Sequence, residues 1–294
     1  GEIDAKISIL ALGRLGVKQL TAGSDIDLLV VYEAVPDVFS NGQRKLQAAS
    51  YVLRLAQTMV SWISTPTAEG TLYDVDLRLR PEGQASAIAT SIDRLATYFD
   101  RDAWIWEKQA LTKARPIAGD AGLSEKIQKL INSIVNHNHP KDRLVKAISD
   151  MRQRIQKQQK PASQWDLRQI TGGLTDIDLL IQAWRLQYGT LFSNSGQSAH
   201  VILQILHDKG IIDGNCYKNL HEATKFLNEI HHSLRLTLGP VAPATDSLPH
   251  GLNQFMQKRL DFPDETRFQH HFDLSISTVI QSINGYLTIA DKPS

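Results

Sequence analysis

The chain has 294 residues, 42% of them hydrophobic and 21% charged, a globular mix that excludes disordered and fibrous classes. Lys and Arg number 32 against 31 Asp and Glu, so a net charge of +1 excludes a protein held to nucleic acid by bulk charge. This length fits one large domain or two ordinary ones, and a chain of about 300 residues buries about 75% of its unfolded surface without a disulfide or metal staple.

The first expected element is a buried strand at Ile7 to Ala11, ending in the turn Gly13-Arg14-Leu15-Gly16. A second strand follows at Asp25 to Tyr32. Leu46, Val52, Leu53, Leu55, Ala56, Met59, Val60 and Ile63 recur at helical spacing from about Gln43 to Ser64. Thr71 to Leu79 alternates strictly and reads as a third strand, stopped by Pro81 and Gly83. After Thr90 no further sheet is expected. Ser91 is placed to cap a helix from Ile92 to Arg101, and a second helix is expected over Trp104 to Arg115. Further helices are expected at about Leu123 to Val135, Lys141 to Gln159, Leu174 to Tyr188, Ser198 to Lys209, Asn215 to Leu238, Gly251 to Leu260 and Glu265 to Leu287. The chain thus divides into an α/β part, residues 1–119, and a helical part, residues 120–294. Cys216 is the only cysteine, so neither an intramolecular disulfide nor a Cys-based zinc site can form. No apolar run reaches the roughly 18 residues of a membrane span, and no signal peptide precedes Ile3. A soluble, cytoplasmic protein of a reducing compartment is expected, and Gly1 in place of Met reads as a piece of a longer chain.

Three carboxylates carry the chemistry. Side chains alternate along a strand, so Asp25 and Asp27 share one face, and Asp74, Asp76, Arg78 and Arg80 share the face opposite Val75, Leu77 and Leu79. Two strands with carboxylates on one face repel unless cations lie between them. Mg²⁺ suits such a place, because it takes a few carboxylate oxygens plus phosphates and water. A pair of such ions holds the attacking and leaving oxygens of a phosphoryl-type displacement. The upstream glycine turn offers backbone N–H groups to phosphate, and Ser24 a hydroxyl. The other reading of these aspartates is strand-end solubility groups or salt-bridge partners of the arginines. The glycine spacing does not match a dinucleotide fingerprint, and no Walker-type Gly-Lys-Ser/Thr occurs.

The blocks Leu12-Gly13-Arg14-Leu15-Gly16 with Ser24-Asp25-Ile26-Asp27-Leu28, and Glu69-Gly70 with Tyr73-Asp74-Val75-Asp76-Leu77-Arg78-Leu79-Arg80-Pro81, resemble nucleotidyltransferases of the polymerase-β type. Ala103-Trp104-Ile105-Trp106-Glu107, Ala110-Leu111-Thr112-Lys113-Ala114-Arg115 and Gly172-Gly173-Leu174-Thr175-Asp176-Ile177-Asp178 extend the resemblance to the bacterial glutamine-synthetase adenylyltransferases, over about Leu10 to Gln182. The resemblance implies an α+β fold: a small mixed or antiparallel-sheet nucleotidyltransferase domain, then an all-α bundle. It also implies AMP transfer from ATP to a tyrosine hydroxyl of glutamine synthetase with Mg²⁺, pyrophosphate leaving. Asp25 and Asp27 would hold the metals, while Asp76 would complete the one nearer the hydroxyl and help deprotonate it. Gly13, Arg14, Gly16 and Ser24 would hold the β- and γ-phosphates, and Arg78 and Arg80 would offset transition-state charge. The implied partners are glutamine synthetase, with glutamine and a PII-type signal protein as effectors, and neither nucleic acid nor membrane.

Such enzymes resemble two tandem copies, one removing AMP and one adding it; Asp176 and Asp178 look like the adding, C-terminal half. Val17 stands where relatives commonly have glycine and Arg14 where Lys is common, the first reducing backbone freedom in the turn. Two rival readings are the removing activity and a non-catalytic module that senses nucleotide, glutamine or a PII-type protein.

Other features have plainer readings beside functional ones. Trp104 and Trp106 cannot both face one pocket, so at least one is expected as a packing anchor, with Glu107 capping or pairing nearby. Lys113 and Arg115 suit either nucleotide phosphates or a solvated helix end. Gly172-Gly173 suits either an anion site at a helix start or a plain turn. His231-His232 and His270-His271 lack metal-clamp spacing and read as surface or packing residues. The basic excess between Lys126 and Lys160 reads as a solvated face or a surface for an acidic partner.

Overall fold

The computed structural model describes residues 1–35, 37–71, 73–80, 87–158 and 160–288. The fold is α+β: a small mixed sheet with helices, followed by a run of helices. Strand β1 (Ala5–Ala11) pairs antiparallel with β2 (Ile26–Ala34) from Ala5 opposite Ala34 to Ala11 opposite Leu28. The short strands β3 (Val75–Asp76) and β4 (Ala89–Ser91) both lie parallel to β2, at different points along it. In β2, Leu28, Leu29, Val30 and Val31 are all buried, which fits a strand covered on both faces. On one face, α2 (Ala48–Ile63) packs Val52 and Ala56 against Val30 and Ala89, with Ile7 and Tyr32 alongside. On the other, Ser8 Oγ lies 2.9 Å from Ser124 Oγ of α5 (Ala121–Val135), an amphipathic helix that buries Leu123, Ile127 and Ile131.

Three expectations need correction. The third strand shrinks to Val75–Asp76, and Val75, Leu77 and Leu79 are only half-buried. Its expected stop at Pro81 and Gly83 lies outside the described residues, as does the expected helix end at Gln159. A fifth strand, β5 (Arg115–Gly119), pairs antiparallel with β1 where no further sheet was expected. Pro116 disguised it, but a proline that lacks an N–H is tolerated at a sheet edge. The helix expected over Trp104 to Arg115 is correspondingly shorter, α4 (Ile105–Leu111), because β5 takes its end; α3 (Ile92–Arg101) precedes it. Ser91 Oγ accepts the Arg94 N–H at 3.3 Å, the anticipated N-cap.

The chain forms two compact units. The first is Gly1–Asn138 together with Gly189–Ser198, so it runs past Gly119, because α5 packs on β1 and β5. The second, His139–Tyr188 with Ala199–Ser294, is helical: α6 (Lys141–Gln158), α7 (Leu174–Gln187), α8 (Ala199–Asp208), α9 (Gly214–Leu238), α10 (His250–Arg259) and α11 (Glu265–Thr288). These boundaries fall within about two residues of expectation, the usual spread at helix ends. Helix α7 is its centre, with Leu180, Ala183 and Leu186 fully buried. Trp165, Phe226, Phe262, Phe268 and Phe272 form an aromatic cluster, with Trp165 and Phe268 stacked 6.3 Å apart. Among the described residues no helix is long and apolar enough to cross a membrane.

Candidate active site

The site is built where β2 begins. Ile26 and Leu28 are buried, whereas Asp25 is exposed and Asp27 half-buried, as the alternation predicts. Ile26 pairs with Val75 and Asp27 with Asp76, and the Ile26 N–H donates to the Asp74 carbonyl at 2.8 Å. Residues paired in a parallel ladder project to the same face, so Asp76 joins the face of Asp25 and Asp27. Asp25, Asp74, Asp76, Arg78 and Arg80, with Val75 and Leu77, line an open cleft of about 590 Å³.

Arg78 occupies the middle of this charge distribution. Its Nε and Nη2 donate to Asp76 Oδ2 at 2.8 and 2.5 Å, and its backbone N–H to Oδ1 at 2.8 Å. Burial pushes the Asp76 carboxyl upward, but hydrogen bonds from Arg78 and the charges of Arg78 and Arg80 outweigh it and hold the group below its ordinary value. Arg78 is held charged first by its hydrogen bond to Asp76, then by that carboxylate's charge, with Asp25 and Asp27 adding to it. Asp76 is therefore a good ligand for a cation and, in this arrangement, a poor proton acceptor. The contact is the salt bridge between Asp76 and an arginine that the sequence offered as one reading.

Among the described residues, no three carboxylate, histidine or cysteine groups are gathered closely enough to hold a metal ion by themselves. The donors nevertheless fit a hard divalent ion that draws most of its ligands from phosphate and water. They are all oxygens, and a guanidinium already feels all three carboxylates. Gly13 supports the same fit. It sits at φ +50°, and a Cβ there would collide with Asp27 Oδ2, so the glycine makes room for the carboxylate.

The other expected phosphate ligands are placed differently. Gly13 opens a single helical turn, α1 (Gly13–Gly16), with Arg14 half-buried in it. Gly16 is buried, and a Cβ on it would collide with the Lys113 carbonyl; it is a packing glycine. Val17 has φ −92°, so the residue that replaces a common glycine needs no glycine freedom. The Ser24 hydroxyl is buried and lies 2.6 Å from Thr21 Oγ1, closing the loop before Asp25. Arg80 Nη1 donates to the Leu77 carbonyl at 2.7 Å.

Arg115 is used in a way the sequence did not suggest. Its Nε donates to the Gly16 carbonyl at 3.0 Å and its Nη2 to the Leu15 carbonyl at 3.3 Å, so it holds α1 rather than a solvated helix end. Arg115 and Gly16 lie 99 positions apart, and no local spacing could have linked them. Glu107 caps α4, accepting the Trp104 N–H at 2.8 Å and the Tyr98 hydroxyl at 2.6 Å, while Trp104 is itself exposed.

In the helical unit the anion site imagined at Gly172-Gly173 is filled from within. Asp176 Oδ2 accepts the Gly172 N–H at 2.8 Å, and Arg152 reaches both Asp176 oxygens at 2.9 Å. Several basic residues of the expected surface run are also paired internally: Lys126 with Glu33, Lys129 with Glu125 and Arg152 with Asp176. His271 packs on Phe226 and Phe262, a packing role as expected.

Residues 1–130 match the family model of glutamate-ammonia ligase adenylyltransferase, and residues 142–287 that of GlnD PII-uridylyltransferase. Three relatives carry the name bifunctional glutamine synthetase adenylyltransferase/adenylyl-removing enzyme. That of Bartonella quintana (strain Toulouse) is 32% identical over 265 residues. Those of Brucella suis biovar 1 (strain 1330) and Rhizobium meliloti (strain 1021) are each 34% identical, over 271 and 269 residues. Each match covers 90% of this chain but only 27% of the relative's own length. The chain is thus similar over nine-tenths of its own length to one segment of the bifunctional enzymes, and over residues 1–130 to the glutamate-ammonia ligase adenylyltransferase model.

Proposed function

We propose that this chain is a nucleotidyltransferase that moves AMP from ATP to a tyrosine hydroxyl of glutamine synthetase. The observation that supports it best is the register of β2 against β3, which sets Asp27 opposite Asp76, with Asp76, Asp25, Arg78 and Arg80 lining one open cleft. The name shared by the relatives supplies the protein substrate.

In this reading Asp25, Asp27 and Asp76 would hold Mg²⁺, which when bound would offset the charge of the triphosphate. Gly13, Arg14 and Gly16 form the turn that faces the β- and γ-phosphates, while Ser24 keeps the adjoining loop closed. The tyrosine oxygen forms a bond to the α-phosphorus as the bond to the β-phosphate oxygen breaks, and pyrophosphate leaves. Arg78 exchanges Asp76 for the phosphates, where it and Arg80 counter the developing negative charge. Released from Arg78, Asp76 would have a carboxylate oxygen not engaged by the metal to accept the tyrosine proton. The match of residues 142–287 to a PII-uridylyltransferase model supports a PII-type protein as effector, with glutamine as a second one.

Incubation with α-labelled ATP, Mg²⁺ and unmodified glutamine synthetase tests the reading; label on a synthetase tyrosine is the expected result. The relatives' bifunctional name favours one second reading, removal of AMP. Release of label from adenylylated synthetase with phosphate, and no transfer from ATP, would select it. Neither activity, with nucleotide binding retained, would select a sensing module.

A further inference from the structure

Three backbone segments stack beside the candidate site. The first is α1. The second is Thr112 to Arg115, whose Lys113 carbonyl lies where a Gly16 Cβ would be. The third comes from Gly189–Ser198, the piece of chain between α7 and α8 that belongs to the first unit. Here the Gly196 N–H donates to the Thr112 carbonyl at 2.8 Å, and Ser195 Oγ to the Ala114 carbonyl at 2.7 Å. Gly196 is left-handed at φ +74°, and a Cβ on it would press on Arg115 Cβ and the Ala114 carbonyl at 3.2 and 3.3 Å. Two glycines thus pack closely on the middle segment. A polar ladder on α5 fixes the strap: Gln128 donates to Ser195 Oγ at 2.9 Å, Asn132 to Asn194 Oδ1 at 3.1 Å and Asn136 to the Ser193 carbonyl at 3.0 Å.

We propose that Arg115 and the strap Ser193–Gly196 form a positioning brace for the phosphate-facing turn Gly13–Gly16, so that nucleotide affinity depends on a segment inserted between two helices of the second unit. The proposal rests on the nucleotidyltransferase reading for the word nucleotide alone; the brace itself stands on the contacts above. Arg115 spans two carbonyls at once from two nitrogens of a planar, rigid fork, a geometry that the single ammonium of a lysine does not reproduce. Arg115 is a positioning residue: its Nε and Nη2 donors lie on protein carbonyls.

The test uses the full chain with Arg115→Lys, Arg115→Ala and Ser195→Ala. Two readouts are followed: hydrogen exchange at the amides of residues 13–19, and binding of a non-hydrolysable ATP analogue with Mg²⁺ by calorimetry. Loss of charged hydrogen bonds of this kind should speed exchange in that turn roughly tenfold or more, with β2 and α5 unchanged. Analogue affinity should fall by a similar factor, about tenfold, and millimolar guanidinium should restore it in Arg115→Ala. If Arg115→Ala does not fold, Arg115→Lys decides by the same two readouts. Wild-type exchange at residues 13–19 in Arg115→Lys overturns the brace. Faster exchange with no analogue binding even by the parent chain keeps the brace and removes the nucleotide reading. Parent-like affinity in a variant whose turn does exchange faster overturns the claim that the brace sets affinity.

Discussion

Gly13 and Asp27 are fitted to each other: the glycine's left-handed backbone at φ +50° leaves the space that the Asp27 carboxylate fills. Gly13→Ala must therefore bear a left-handed alanine, about 1–2 kcal/mol, and push the carboxylate aside. Stability measured by urea unfolding should fall by about 1–3 kcal/mol, the range for an overpacked site. Binding of the Mg²⁺–nucleotide complex should fall far more than that loss of folded fraction explains. Unaltered binding in a folded Gly13→Ala protein would show that Asp27 holds no metal.

Asp25→Asn with Asp27→Asn keeps side-chain shape and removes the charge that Mg²⁺ requires. Such a double variant should melt like the parent and transfer no label from ATP. Full transfer would remove both residues from the metal site.

Asp76→Asn tests a role rather than a place. It should still bind the Mg²⁺–nucleotide complex through Asp25 and Asp27, and its chemical step should slow by about 10²–10⁴-fold, as for a lost proton acceptor. Single-turnover rates at saturating ATP separate the two effects. A normal rate with lost binding would make Asp76 a nucleotide-site residue only.

Arg152 and Asp176 form a mostly buried pair whose carboxylate also holds the Gly172 N–H. Asp176→Ala leaves a buried guanidinium without that partner and frees the start of α7, so it should cost about 3–5 kcal/mol by chemical denaturation. Replacing both residues with apolar ones, Arg152→Met and Asp176→Leu, should cost less than the single change. Equal or greater loss in the double variant would mean that the Gly172 contact, not the charge pair, is what matters.

His271 packs against Phe226 and Phe262, and burial pushes its imidazole below the ordinary value of 6.5, with Glu222 opposing and His270 adding to the shift. A histidine whose folded value is depressed is bound by more protons in the unfolded chain, so its stabilising contribution is present above 6.5 and is lost as pH falls through the folded value. Unfolding midpoints should decline from pH 7 to pH 5, and His271→Phe should flatten that decline. An unchanged slope in His271→Phe would assign the acid sensitivity elsewhere.

Alternation and helical period were enough to locate β1, β2 and the long helices, because each depends on which side of a local element is buried. The pairing of Asp25 with Asp27 on one face was legible for the same reason, as was the cap at Ser91. What lay beyond local pattern was partnership. β5 is a strand because β1 offers it an edge, and Pro116 in isolation argues otherwise. Gly16 reads like Gly13 in the sequence, yet one packs on the Lys113 carbonyl and the other makes room for Asp27. Asp176 looks like a free carboxylate until Arg152 and Gly172 meet it. Arg115 reaches α1 and Ser195 reaches Ala114 across 99 and 81 positions of chain. Local propensity determines what each segment is. Only the closed fold, where every buried carbonyl and charge needs a partner, decides which distant residues hold the carboxylates and the turn in place.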